Sequence, residues 1–569
     1  MKEASPFASE HNHIRFWRSM TALACGLFGP VGFGQTTPAA SDIIYISNSS
    51  ELTNAINNAT GGEMILLESG DYGVMSLANR NMPAEVTIMA ALNAIPEFTS
   101  VVLTDCSAWR ISGFHVKPRF TSGADTNDAV RLIGSDIIFE NSEINYAENT
   151  SDWSATDWLN RTGNGIVMGG TRITVQGNSI QFVDHAIASD ATHSLIARNE
   201  IDHFRGDACR SLGNYVTFEY NLGKNAVKVD DNHDDFFQSW SSSIGGVGTG
   251  EVVGVVVRGN TFISYKDKNL PFATIPQGIG LFDGMFREWV IENNVIITGH
   301  WHGISILGAI DCRIVNNTVL DRDDRDGPSP WVQINDHKNG TSSDNSVIRN
   351  NLAHDIIAGT GVTADHNLIV DDPALYYVDP ASHDLHLLED SPAVDTGSST
   401  LAADIDRDGI ERPQGESVDV GAYERVVGIT DTDGDRLPDE WETTHIGHLE
   451  EGPLDDGDGD GHANLFELAV GSDPSFADSE KFVNAFVEQV GNYRFLTIYY
   501  RRSRSIYHLS LTVEFSENMV AWVTESEDNS MINLPGALKD NGDGADWVHL
   551  RYPIPLSNLD KIFARINVH

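Results

Sequence analysis

Short runs of alternating apolar and polar residues extend from about Ile43 to Val370. Through them one phrase recurs: an Asn, one variable residue, then an apolar residue. It stands at Asn178 (QGNSI), Asn199 (ARNEI), Asn260 (RGNTF), Asn294 (ENNVI), Asn317 (VNNTV), Asn351 (RNNLA) and Asn367 (DHNLI), with a variant at Asn141 (ENSEI) and a weaker copy at Asn221 (EYNLG). Spacings of 21 (Asn178 to Asn199), 22 (Asn199 to Asn221) and 23 (Asn294 to Asn317) correspond to one turn of a parallel β-helix. The longer intervals, 39 (Asn221 to Asn260) and 34 (Asn260 to Asn294), hold a turn plus an inserted loop. Self-similarity at a fixed period marks a solenoid. Asn suits its corners, because it tolerates left-handed backbone and can hydrogen-bond to the Asn of the next coil. The expected fold class is all-β: a right-handed parallel β-helix, then a calcium-binding linker and a small β-sandwich.

The strands after successive corners align as one column: Asn164-GIVMGG, His185-AIASDA, Asp207-ACRSLG, Asp235-FFQSWS, Gln277-GIGLFD and His302-GISILG. Ile166, Ile187, Cys209, Phe237, Ile279 and Ile304 then form an inward ladder, and alternation turns Arg210 and Gln238 outward. The polar line His185, Asp207, Asp235, Gln277 and His302 would share the inward face of an ideal strand. Burying such groups is unfavourable, so they are expected at a corner where the chain turns outward.

Residues 48–72 read as a capping helix (Glu51 to Asn58), then Gly-Gly and a first strand, covering one end of the solenoid. Residues 391–424 close the other end; Asp404, Asp406 and Asp408 there are either an ion site or a plain polar turn. Residues 456–467, DGDGDGHANLFE, match an EF-hand-type loop, with Asp456, Asp458, Asp460, Asn464 and Glu467 as ligands and Gly461 at the sharp turn. Residues 431–442 repeat the pattern with Asp431, Asp433, Asp435, Asp439 and Glu442, but Arg436 replaces the usual Gly. Ca²⁺ is the cofactor these oxygen ligands imply. The segment 429–475 thus resembles the paired Asp-rich calcium repeats that join domains in secreted proteins. Alternating stretches in 485–569 predict antiparallel strands.

Composition narrows the partners. Asp+Glu number 82 against 37 Lys+Arg, a formal charge of -45, which disfavours nucleic acid and anionic membranes. Arg15 and Arg18 precede an apolar run from Met20 to Phe33 that is too short and broken to span a bilayer, so residues 1–34 read as a signal peptide and the mature chain as secreted. Without Cys25, the widely spread Cys106, Cys209 and Cys312 predict buried thiols rather than a disulfide framework. The chain is expected to act as a monomer.

Chemistry-bearing residues crowd into four consecutive coils. Arg205, Asp207 and Arg210 come first; then Lys228, Asp231, His233, Asp234, Asp235 and Gln238. Lys266, Lys268, Gln277, His300, Trp301, His302 and His337 follow. One such residue is ordinarily a solvated surface group, but convergence on one side of a solenoid predicts a groove for a sugar chain.

RGDACRSLGNYVTFEYN, DDNHDDFFQSW, QGIGLFDG and HWHGISILGA resemble secreted bacterial β-helix proteins of the pectate-lyase-like superfamily, over roughly residues 43–425. The superfamily holds lyases, hydrolases and uronate epimerases, so the resemblance implies a fold and a class of acidic polysaccharide substrate, not one reaction. For a lyase it implies Ca²⁺ held by Asp207, Asp231 and Asp234 near Asp235, with Arg210 or Lys228 as base; His233 or His302 can serve instead. Arg205, Gln238, Lys266, Lys268, Gln277, His300, Trp301 and His337 are then substrate contacts. An inverting hydrolase would pair two carboxylates, Asp207 or Asp231 with Asp235. HGISILG resembles the His-Gly strand of polygalacturonases, whose other motifs are missing. A C5-epimerase and a non-catalytic adhesin are the remaining readings; the Asp-Pro-His motif of alginate epimerases is absent.

Overall fold

The computed structural model describes residues 44–426 except 92–93, 120–126 and 323–328, residues 431–477 except 434, and the strands of the C-terminal segment between 482 and 568. The expected signal peptide lies outside the described residues. Ser41–Val427 forms one compact unit and Gly428–His569 belongs to another.

Thirty-one strands of the first unit join one set of parallel ladders, each strand pairing with its counterpart one coil on. Parallel crossovers of this kind are right-handed, and the unit is a right-handed parallel β-helix. The expected inward ladder is present: Ile166 pairs Ile187, Ile187 pairs Cys209, Cys209 pairs Phe237, Phe237 pairs Ile279 and Ile279 pairs Ile304. All six are fully buried. Aromatic stacks extend the core, as where Phe236 lies 4.9 Å from Phe262 with the rings nearly parallel.

The Asn ladder runs without a break from Asn178 through Asn199, Asn221, Asn260, Asn294, Asn317 and Asn351 to Asn367. Each Oδ1 accepts both the backbone N–H and the Nδ2 of the preceding rung, as Asn260 does from Asn221 at 2.9 and 3.0 Å. Two details differ from expectation. The left-handed residue is the one before each rung (Arg198, Tyr220, Asn293, Asn316, Asn350 and His366), not the ladder Asn itself. In the Asn141 variant, Ser142 takes the rung position, its backbone N–H donating to Asn178 Oδ1. The rung side chain must lie along the coil axis, so the tight turn falls on its neighbour.

The cap helix spans Ser49–Asn58, with Asn48 accepting from the Glu51 N–H. At the far end Arg412 and Glu424 form a fully buried ion pair at 2.8 Å. Asp406 beside them accepts three backbone N–H groups, which makes this segment a polar turn. Cys106, Cys209 and Cys312 are buried free thiols. In the second unit, strands between Val483 and Val568 form two antiparallel sheets. No helix among the described residues is long and apolar enough to cross a membrane.

Candidate active site in the groove

The strand register carries an outward column beside the inward ladder. Arg131 pairs Val167, Val167 pairs Ala188, Ala188 pairs Arg210, Arg210 pairs Gln238 and Gln238 pairs Gly280. Ser305 follows Gly280. Arg210 and Gln238 therefore face outward, as alternation requires.

Of the polar line, His185, Gln277 and His302 are partly exposed, whereas the two aspartates are not turned out. Asp207 and Asp235 are 2% and 0% exposed, and Asp234 is 5% exposed. Hydrogen bonds offset their desolvation. Asp207 Oδ1 accepts the Asp235 N–H at 3.2 Å, and Asp207 pairs with His185 at 3.3 Å. Asp235 Oδ2 accepts from Gln238 Nε2 at 2.8 Å and meets His233 Nδ1 at 3.3 Å. Asp234 meets Lys228 Nζ at 3.5 Å. Burial nevertheless pushes both Asp234 and Asp235 up to about 7, against the opposing pull of Lys228 and His233 respectively. The hydrogen bond that Asp235 accepts from the protonated ring raises His233 above the ordinary histidine value.

Two buried acceptors at this corner have no hydrogen-bond partner: Asp235 Oδ1 and Gln277 Oε1. Both border Gly280, where a Cβ would come within 2.5 Å of Asp235 Oδ1 and 3.4 Å of Gln277 Oε1. Orphaned oxygens around a glycine notch fit a hard cation. The donors differ from those expected, because Gln277 joins the corner while Asp231 stands exposed on a turn. Asp207, Asp231 and Asp234 do not gather into one triad. Among the described residues, groups of three acidic side chains with oxygens within 4.8 Å of one another occur at Asp431, Asp433 and Asp435 and at Asp456, Asp458 and Asp460. In that second unit Glu442 is fully buried, with both carboxylate oxygens unpartnered, and Asn464 Oδ1 is likewise buried and orphaned. These atoms occupy the positions at which the loops need ligands.

On the far side of the corner the residues are aromatic. His302 Nδ1 lies 2.9 Å from Ser305 Oγ, which accepts the Trp331 indole N–H at 3.0 Å. Ser305 Oγ has a second lone pair and one proton, so it can either donate to or accept from His302 Nδ1. Burial, with Lys338 nearby, lowers His302 to about 4. Lowered so far, the ring is neutral at about pH 7. Trp301 is exposed and stacks on His300 at 4.2 Å.

The other expected contacts are dispersed. Lys266 and Lys268 stand exposed on a loop. His337 is buried, its Nε2 accepting from the Gly284 N–H at 3.0 Å, and so braces a turn rather than meeting a sugar. Arg205 is tied to Thr162, Asp184 and Asp230. It faces a cavity of about 690 Å³ shared with Arg131, Asn164, Arg210 and Trp240. Arg131 and Asn164 were not among the expected site residues. A signal existed: DAVRLIG at 128–134 repeats DACRSLG at 207–213, placing Arg131 where Arg210 stands.

No family model matches the chain, and no curated protein matches it. Solved structures similar to it include the PL6 family alginate lyase AlyGC, 13% identical at a TM-score of 0.36, covering 58% of this chain and 51% of that one. The Dettilon tailspike protein is 12% identical at a TM-score of 0.38, covering 57% of this chain and 63% of that one. Pectate lyase Pel9A is 15% identical at 0.36, covering 68% and 97%. The chain thus spans about half the length of the alginate lyase. Its fold is a parallel β-helix, as the register of its own ladders establishes.

Proposed function

We propose that the protein is an exported polysaccharide lyase that cleaves a uronate-containing chain by β-elimination in the groove along its coils. The observation that carries this reading is the pair formed by buried Asp235 and exposed His233. Elimination needs a base for the proton at C5, a cation for the neighbouring carboxylate, and a proton for the departing oxygen. Asp235 holds the His233 ring through Nδ1, so its other nitrogen can take the C5 proton. Arg210, facing outward one strand away from Gln238, neutralises the carboxylate. Lys228, partly exposed beside Asp234, protonates the leaving oxygen. A hard cation at the corner would be held by Asp235 and Gln277 with Asp207 and Asp234 beside them, and when bound it supplies further charge neutralisation at the uronate. Ca²⁺ in the two Asp-rich loops of the second unit would rigidify that segment, with no part in the chemistry.

Two-carboxylate hydrolysis is less well supported. Its acid and base must both flank the scissile bond, whereas Asp235 has no exposed surface with which to touch a sugar. Ultraviolet absorbance during incubation with a panel of uronate polysaccharides tests the choice. Elimination creates an absorbing unsaturated uronate, and sugar release without absorbance would overturn the lyase reading.

A further inference from the structure

The cavity beside the acidic corner has its own logic. Its floor is the outward column, in which two guanidiniums bracket two small apolar side chains: Arg131, Val167, Ala188, Arg210. Three strand spacings of about 4.8 Å separate the brackets, a span of roughly 14 Å. Its volume, about 690 Å³, suits a small oligosaccharide, since ligand clefts run from about 300 to 1,000 Å³.

Charge distinguishes this cavity from the corner. Arg131 is paired with Asp128, and Arg205 with Asp184 and Asp230. Among the described residues Arg210 forms no ion pair, and its guanidinium lies 5.5 Å from the centre of the Trp240 ring. The cavity therefore offers a guanidinium outside any ion pair next to an aromatic wall, with Asp190 also in the lining and Arg131 held in place by its own carboxylate at the other end. Asn164 Nδ2 donates to Asp128 at 2.9 Å and fixes that carboxylate in turn. Guanidiniums recognise carboxylates by paired hydrogen bonds, and a ring stacks the apolar face of a sugar.

We infer that this cavity is a binding subsite for a uronate oligosaccharide, with Arg131 and Arg210 each receiving a carboxylate and Trp240 flanking the sugar at the Arg210 end. The inference rests on the proposed polysaccharide substrate and deepens it, because it places the sugars adjoining the cleaved bond on the Arg131 side of His233.

Calorimetric titration of the full chain with uronate tetrasaccharides, and with the same tetrasaccharides after reduction of their carboxyl groups, tests it. The His233→Ala background prevents turnover. Arg131→Gln should weaken uronate binding about tenfold and leave the reduced sugar within about twofold. Val167→Trp fills the floor without removing a charge, and should abolish binding of both sugars. Retained binding of the reduced sugar by the Arg131 variant guards against its misfolding. Arg172→Gln, an exposed residue paired with Asp136 outside the cavity, should change nothing. Equal affinity for charged and reduced sugars, or indifference to both cavity variants, would overturn the subsite. If no uronan is cleaved by the unaltered protein yet Arg131-sensitive binding persists, the elimination reading fails and the subsite stands. If uronan is cleaved with Arg131 and Val167 indifferent, the reverse holds.

Discussion

The Asp235 carboxylate, with no exposed surface, lies 3.3 Å from Nδ1 of His233, whose side chain is 69% exposed. The buried partner orients the ring and favours its protonated form, and the exposed partner is the one that can reach a sugar. A base must be unprotonated, so kcat/KM should rise with pH through a titration above the ordinary histidine value. Asp235→Asn removes the main cause of that elevation and should move the rising limb to lower pH. His233→Ala should lower kcat by roughly 10²–10⁴. A pH–rate profile of the three proteins measures all of this; a limb unmoved by Asp235→Asn would exclude the pair as the titrating unit.

The same burial has a stability consequence. Asp234 and Asp235 titrate near about 7 in the folded chain, whereas an unfolded Asp titrates near about 4. The folded state therefore binds more protons between these values. The associated stability is fully present below about pH 4 and lost as pH rises through about 7. With a chelator present, Asp235→Asn should flatten this decline and exceed the unaltered protein in stability at about pH 8. Chemical denaturation across pH checks it, and parallel curves for the two proteins would contradict it.

The Asn ladder predicts a graded series. Asn260→Ala removes the acceptor of both the Asn221 backbone N–H and its Nδ2, deep in the core. Leaving buried donors unpaired should destabilise the coil by about 2–4 kcal/mol. Asn367→Ala, at the partly buried end of the ladder, should have a smaller effect. Urea unfolding midpoints provide the comparison, and equal losses at the two positions would argue that the ladder is not a cooperative core.

Calcium should act on the second unit through Glu442 and Glu467. Burial, with Asp435 and Asp433 nearby, pushes Glu442 up to about 7. Ca²⁺ requires the carboxylate, so its affinity should increase as pH rises through that value. Added Ca²⁺ should raise the melting temperature of the Gly428–His569 unit, and the combined Glu442→Gln and Glu467→Gln variant should abolish the increase. Scanning calorimetry with and without chelator follows it. A melting temperature independent of Ca²⁺ would exclude a structural metal in these loops.

The strand register, the inward ladder of Ile166 to Ile304 and the Asn rungs were legible in the sequence, because each coil repeats and side chains alternate strictly. Arg131 was legible on the same ground, in the repeat of DACRSLG by DAVRLIG. The environment of those positions was not. Asp207 and Asp235 were expected to turn outward, and neighbouring coils bury them instead; the left-handed turn falls one residue before each rung. The His302 ring titrates low because neighbouring coils bury it, with Ser305 and Trp331 against it. Period and alternation are properties of the chain itself. Desolvation, raised proton affinity and the cavity between Arg131 and Arg210 depend on which coils lie against one another, and that is decided only in the tertiary structure.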